Sequence, residues 1–207
     1  MKSPDPETIF IIDDEESVRR SLSLYLTSCG YKVESCCSSE EYLARDAFDG
    51  TGCLVLDINL GGKTGLDLQD ELAAADSHLP IIFITGKGNI QMSVKALKKG
   101  AVNFLEKPFE QEELLQSVSE ALSLSRQLKS DMEEKRDARK LTDTLTPREL
   151  EVLKYSTSGM LNKQIASALG IAEQTVKLHR QSICIKLGVK SLPEIIRIAE
   201  KAGVLKL

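Results

Sequence analysis

Cys53-Leu54-Val55-Leu56-Asp57 decides the fold. Four apolar residues run directly into a carboxylate, and Gly61, Gly62 and Gly65 follow within a few positions. An unbroken apolar run of this length between turn signals reads as a strand covered on both faces. Strands of that kind belong to parallel sheets, whose ligands collect at the carboxyl ends. Asp57 therefore stands where a site is expected, provided that other strand ends deliver chemistry to the same edge.

Outward from this run, apolar strands and amphipathic helices alternate. Thr8 to Ile12 is a short apolar strand running into Asp13-Asp14-Glu15-Glu16. From Ser17 the spacing turns helical through Val18, Leu22, Tyr25, Leu26 and Cys29, and Gly30 closes that helix. Lys32 to Cys36 reads as a second strand, and Ser38 before Glu40 and Glu41 is a helix N-cap followed by acids. The opening run is the third strand, with a helix over Asp67 to Ala75 behind it. Pro80 precedes a fourth strand, Ile81 to Thr85, and a helix through Met92, Val94, Ala96 and Leu97 is closed by Gly100. Val102 to Leu105 is the fifth strand, followed by Lys107-Pro108 and a helix from near Glu110. Such alternation specifies a parallel α/β sheet with right-handed crossovers.

Residues 128–142 are charge-dense, lack Gly and Pro and keep only a loose helical register, which predicts a helix fraying into a linker. From there on the periodicity is helical throughout. Thr146-Pro147-Arg148-Glu149 supplies an N-cap, a proline at the first helical position and a capping-box acid. That helix runs to Gly159, and a short one spans Asn162 to Leu169. After Gly170-Ile171-Ala172, a longer helix carries Val176, Ile183 and Leu187 on one face, and Ser191 to Ala202 is a last amphipathic helix. A short helix, a glycine turn and a longer cationic helix make a helix-turn-helix candidate. The expected division is a domain over 1–127, a helical linker over 128–142 and a second domain over 143–207.

With 207 residues, 42% of them hydrophobic, the chain has material for two cores and is not expected to be disordered. Cys29, Cys36, Cys37, Cys53 and Cys184 form no CxxC pair and fit buried thiols in a reducing cytosol. A signal peptide is not expected, because Ile9 to Ile12 is short and acids follow at once. No apolar run approaches the roughly 18 residues of a membrane span, so the expected location is cytoplasmic, with no membrane partner. The net charge of −4 hides an asymmetry. Residues 1–127 hold 12 basic and 21 acidic side chains, residues 128–142 hold 5 and 4, and residues 143–207 hold 10 and 6. A basic rear on an acidic chain points to a polyanionic partner.

At the carboxyl edge of the predicted sheet, strand ends deliver Asp13-Asp14, Asp57, Thr85 and, two residues past the fifth strand, Lys107. Three carboxylates repel one another unless a cation offsets them. Oxygen ligands favour a hard ion such as Mg2+. A lysine and a hydroxyl beside them complete a receiver for an oxyanion. The cluster therefore suggests an aspartate that accepts a phosphoryl group.

Asp13-Asp14, Asp57, Thr85-Gly86, Phe104 and Lys107-Pro108-Phe109 together resemble the receiver domain of two-component response regulators. The resemblance implies a (βα)5 flavodoxin-like, doubly wound parallel sheet of order 2-1-3-4-5, with Asp57 phosphorylated by a cognate histidine kinase. It implies Mg2+ bound by Asp14, Asp57 and the backbone carbonyl of Asn59, with Asp13 helping through water. Thr85 would move to the phosphoryl group, Phe104 would rotate inward as the switch, and Lys107 would pair with the phosphoryl oxygens. Lys107-Pro108 would be a cis bond, as an X–Pro bond allows. Two positions depart from the family pattern. Gly61, followed by Gly62, stands where Pro is usual, which should loosen that loop, and Gly86 stands where Ala is usual. Neither removes a reacting group, so altered phosphorylation or dephosphorylation kinetics are expected.

Leu145 to Leu153, Asn162 to Ala166, Thr175 to His179 and Lys186 to Val189 resemble the LuxR-type helix-turn-helix, an all-α domain of four helices. The stretch from Lys87 to Phe109 narrows the resemblance to the FixJ-like group. With Val176, Ile183 and Leu187 facing inward, helical spacing turns Gln174, Lys177, Leu178 and Gln181 outward. By resemblance Lys177, Leu178 and Gln181 read bases, through guanine acceptors, a thymine methyl and adenine respectively. Lys163, Thr175, Arg180 and the amides near Asn162 are expected on phosphates. His179 is either a phosphate donor or a buried ring. Leu192, Ile195, Ile196 and Ala199 are expected to form an output dimer face; by resemblance, the surface of Met92 to Lys99 and Val102 to Leu105 is the expected receiver dimer face.

The expected protein is thus a transcription regulator that dimerises on phosphorylation and binds double-stranded DNA, with RNA polymerase as a further candidate partner. It is not expected to be an enzyme beyond its own phosphorylation and slow dephosphorylation. A phosphohydrolase of this kind needs a second carboxylate two residues after the nucleophile, where Asn59 stands. A phosphorylation-independent interaction module would not need the intact acceptor, metal and lysine positions.

Overall fold

Among the described residues, five strands fall where apolar runs predict them: β1 (Thr8–Ile12), β2 (Lys32–Cys36), β3 (Gly52–Asp57), β4 (Ile81–Thr85) and β5 (Asn103–Glu106). They pair in parallel in the order β2-β1-β3-β4-β5. The structure, a computed structural model, describes residues 6–75, 77–86 and 90–204. Lys87, where the FixJ-like stretch begins, lies outside the described residues.

Strand alternation explains why the sheet needs cover on both sides. On β1, β3 and β4, one set of side chains (Phe10, Ile12, Leu54, Leu56, Phe83) joins α2 (Ser39–Leu43), α3 (Gly65–Ala74) and α4 (Ile90–Lys98). The alternate set (Ile9, Ile11, Cys53, Val55, Ile82, Ile84) packs with α1 (Glu16–Ser28) and the first turns of α5 (Gln111–Thr142). Side chains on successive strand residues point to opposite faces, so a run with no polar interruption buries both. The doubly wound expectation holds.

The chain divides after Lys129 into two compact units. From Ser130 onward the second unit is all-helical, with α6 (Pro147–Thr157), α7 (Asn162–Leu169), α8 (Glu173–Leu187) and α9 (Leu192–Ala202) following the rear of α5. Val152, Leu153, Ile165, Val176, Ile183, Leu187, Ile195 and Ala199 form its core. Gly170 ends α7 at φ +64°, a left-handed conformation that glycine adopts without steric cost and that turns the chain sharply into α8.

Four expectations change. Cys29 and Cys37, expected among buried thiols, are exposed, while Cys36 and Cys53 are buried. The rear of α5 does not fray: it runs unbroken to Thr142, with Ala138 and Thr142 buried and Glu134 ion-paired to Lys201 of α9. Partners in the second unit, which the local sequence cannot display, hold it. α3 begins two residues before Asp67, because the Thr64 side chain accepts from the Asp67 amide and the Asp67 carboxylate accepts from Thr64 in a capping box. The proposed dimer face on α9 fails at two of its four positions: Ile195 and Ala199 are buried in the unit's own core. Amphipathicity shows that a helix has a buried face, without saying what buries it.

Gly65 shows how closely α3 is set against β3. A Cβ there would fall 2.3 Å from the Asp57 carbonyl oxygen. Gly65→Ala is expected to cost ~1–3 kcal/mol in denaturant unfolding, whereas Gly62→Ala, which meets nothing within 4 Å, should be near neutral.

Candidate functional site

Register brings the reactive side chains to one edge. Ile12 pairs with Leu56, so Asp13 is level with Asp57; Asp57 pairs with Ile84 and Thr85 pairs with Glu106, which sets Lys107 just beyond Thr85. The Lys107 ammonium donates to Asp13 Oδ2 at 2.6 Å and to Asp57 Oδ1 at 3.0 Å. Asp13 is fully buried and Asp57 nearly so. The Asn59 amide donates to Asp57 Oδ2 at 2.6 Å, and Asn59 Nδ2 lies 3.4 Å from the buried Thr85 hydroxyl. Lys107-Pro108 is cis, as expected.

Electrostatics make this a poised carboxylate. Burial pushes the Asp57 carboxyl up; Lys107 and the Asn59 amide pull it back part of the way, and the Asp13 charge adds to the rise. Burial works against the Lys107 charge, but hydrogen bonds to Asp13 and Asp57 outweigh it and hold the ammonium protonated to higher pH. The donors available to a cation are carboxylate and carbonyl oxygens, the set that suits Mg2+, and one ammonium offsets only one of three carboxylate charges. Among the described residues, no three carboxylate, imidazole or thiol groups are already gathered as a metal cluster. Asp14, unlike Asp13 and Asp57, is exposed, with Oδ2 lying 3.3 Å from where a Gly61 Cβ would be. Gly61 itself sits at φ +66°, beyond the reach of a proline ring fixed near −65°. The loop beside Asp57 therefore takes a path that a proline at position 61 could not follow.

Phe104 is half-buried on β5, in register with Phe83 and packed against the cluster that contains Ala96 and Ala101. Sequence reasoning missed two supports of Asp13. The Glu15 amide donates to its Oδ1 at 2.9 Å, and Arg19 Nη1 donates to its backbone carbonyl at 2.7 Å. The acidic Asp13–Glu16 run carried the first signal; nothing in the sequence carried the second.

In the second unit, α8 lies across α6 and α7 and presents Gln174, Lys177, Leu178 and Gln181 to solvent, as helical spacing predicts. Lys163 is also exposed, while Thr175, His179 and Arg180 are half-buried. Arg180 donates to Asn162 Oδ1 at 2.7 Å, bracing α8 against the start of α7. Lys177 is loosely paired with Glu173 at 3.6 Å, an exposed contact that another anion can replace at little cost. Arg148 Nη2 donates to the Leu169 carbonyl at 2.5 Å and so closes the end of α7.

Glu149 does more than cap α6. It is buried and accepts from the Thr146 amide at 2.8 Å, the Ser182 hydroxyl at 2.5 Å and the Lys186 ammonium at 2.6 Å. Burial alone would push its carboxyl up; Lys186, Ser182 and Thr146 outweigh that and hold it down at about 2. The network ties the first helix of the unit to α8. Sequence showed only the capping half, since Lys186 lies 37 residues away.

Residues 9–119 match the family described as the response regulator receiver domain, and residues 143–199 match bacterial regulatory proteins, luxR family. Nodulation protein W of Bradyrhizobium diazoefficiens is 43% identical over 95% of this chain and 86% of its own length. Transcriptional regulatory protein FixJ of Rhizobium meliloti is 37% identical over 95% of this chain and 96% of its own. Of solved structures, the response regulator StyR has 41% identity and a TM-score of 0.80, covering 95% of this chain and 99% of that one. Full-length FixJ from B. japonicum has 31% identity and a TM-score of 0.55, covering 99% and 100%.

Each unit offers a test. Lys107→Ala leaves two buried carboxylates without their cation. In metal-free buffer at pH 7 it should lose ~3 kcal/mol of stability. The deficit should shrink as pH falls and the Asp57 carboxyl, pushed up by burial, protonates. Glu149 depends on pH in the same direction, over a more acidic window. Its folded value of about 2 lies below the ordinary 4.5, so its contribution is present above 4.5 and is lost as pH falls toward 2. Glu149→Gln should cost on the order of 3 kcal/mol at pH 7 and much less at pH 2, read from amide exchange in α8.

Proposed function

The chain belongs to the two-component response regulators that join a receiver domain to a LuxR-type DNA-binding domain, and we propose that phosphoryl transfer to Asp57 switches its binding to DNA. The observation that carries this reading is the Lys107 ammonium shared by Asp13 and Asp57 at the carboxyl edge of the sheet, with the Thr85 hydroxyl alongside.

An Asp57 carboxylate oxygen attacks the phosphorus of a phosphohistidine on the kinase. An O–P bond forms, the N–P bond breaks, and an acyl phosphate results. Asp14, Asp57 and the Asn59 carbonyl, with Asp13 through water, would hold Mg2+, whose charge would offset the repulsion between the carboxylate and the phosphoryl group. Lys107 already donates to Asp57 Oδ1, and it passes to a phosphoryl oxygen while keeping Asp13 as its other partner. Thr85 turns its hydroxyl from Asn59 toward the phosphoryl group, and Phe104 moves inward behind it. The α4–β5 face is reshaped, two copies associate, and paired α8 helices enter successive major grooves. Phosphorylation drives this only by as much as it favours the dimer-competent state over the other. In the groove, Lys177, Leu178 and Gln181 read bases, while Lys163, Thr175, His179 and Arg180 set register on phosphates.

Acetyl phosphate with Mg2+ should raise both the dimer fraction in sedimentation and the affinity for DNA selected from a random-sequence pool. Asp57→Asn should abolish both responses without changing the fold. A mutant that responds like the parent would sink the mechanism.

A further inference from the structure

Ile185 lies two helical turns beyond Leu178 on α8 and is 73% exposed, against 57% for Leu178. At 100° per residue, Gln174, Leu178, Gln181 and Ile185 fall within an arc of about 60°. The buried Val176, Ile183 and Leu187 occupy the opposite side. The stripe thus runs the length of the helix, alternating amide and aliphatic side chains, and Ile185 extends the surface that Leu178 begins. Helix stability does not explain it, because an exposed β-branched residue is a mediocre helix former with nothing to pack against.

The surroundings select the occupant of this stripe. α8 carries Lys177, Arg180 and Lys186 against a single acid, Glu173, and residues 143–207 hold 10 basic and 6 acidic side chains. A second copy of the same face would set these cations against one another, whereas a polyanion is attracted to them. In a DNA major groove the apolar feature that such a side chain can meet is the thymine C5 methyl. Seven residues along the helix advance about 10 Å, close to three base-pair steps.

We infer that Ile185 is a further base-reading residue, packing on a thymine methyl about three base pairs from the one met by Leu178. This rests on the DNA-binding reading above and adds a specificity position to it. Losing the contact should cost on the order of 5-fold in affinity for the preferred site and leave non-specific binding unchanged.

The experiment uses the full-length chain with acetyl phosphate and Mg2+, on duplexes selected from a random pool. Each thymine is replaced in turn by deoxyuridine, which removes only the methyl group. Ile185→Ala should bind the selected duplex about 5-fold more weakly and competitor DNA as the parent does. At one thymine, the deoxyuridine that weakens the parent should have no further effect on Ile185→Ala, a non-additivity that marks direct contact. Additive losses at every thymine, an equal loss on competitor DNA, or a lowered dimer fraction would each overturn the assignment of Ile185. Failure to select any sequence would instead overturn the DNA-binding reading on which it stands.

Discussion

The Lys107 ammonium stands 2.6 Å from Asp13 and 3.0 Å from Asp57, and the three side chains sit at the ends of three different strands. Two carboxylates buried at this depth would repel each other and lose solvation without that cation. The fold has to supply it from a distance: Lys107 is 94 residues from Asp13 and 50 from Asp57. The parallel register of β1, β3, β4 and β5 is what makes the pairing possible, and every apolar residue on those strands contributes to holding that register. Receiver chemistry is in this sense a consequence of sheet packing.

The second unit solves a similar problem with a different charge pattern. Its anion is Glu149, and the groups that satisfy it come from the N-cap of α6 and from α8. Fixing α8 against α6 orients the opposite face of α8, where Gln174, Lys177, Leu178, Gln181 and Ile185 meet solvent. Both units thus use a buried, fully bonded carboxylate to set the geometry of an exposed working surface. In the receiver, burial keeps the charge of the Asp57 carboxylate costly. In the helical unit Glu149 is structural, and its bonds make its charge cheap.

Much of this was legible in one dimension. Short apolar runs ending in Asp13, Asp57 and Thr85 announced a parallel sheet with a reactive edge, because strands buried on both faces cannot carry polar interruptions. Thr146-Pro147-Arg148-Glu149 and Gly170 announced helix ends through local hydrogen bonding and backbone freedom, which depend on near neighbours alone. Errors fell where a distant partner decided the outcome. The rear of α5 looked loose because its support, Lys201 on α9 with the burial of Ala138 and Thr142, lies outside the local window. The apolar stripe of α9 looked like a dimer face because periodicity cannot distinguish an internal neighbour from an external one.

By itself, the sequence determined the element order, the two-unit composition and the kinds of chemistry each unit carries. Those features follow from interactions within a few residues and from burial averaged over a strand or helix. Tertiary structure alone decided which carboxylates share the lysine, that Asp14 is exposed while Asp13 and Asp57 are buried, and that Gly61 adopts a path closed to proline. It also decided that Ile185 remains exposed in line with Leu178 while Ile183, two residues earlier, is buried. Each of these depends on where remote segments of the chain come to rest.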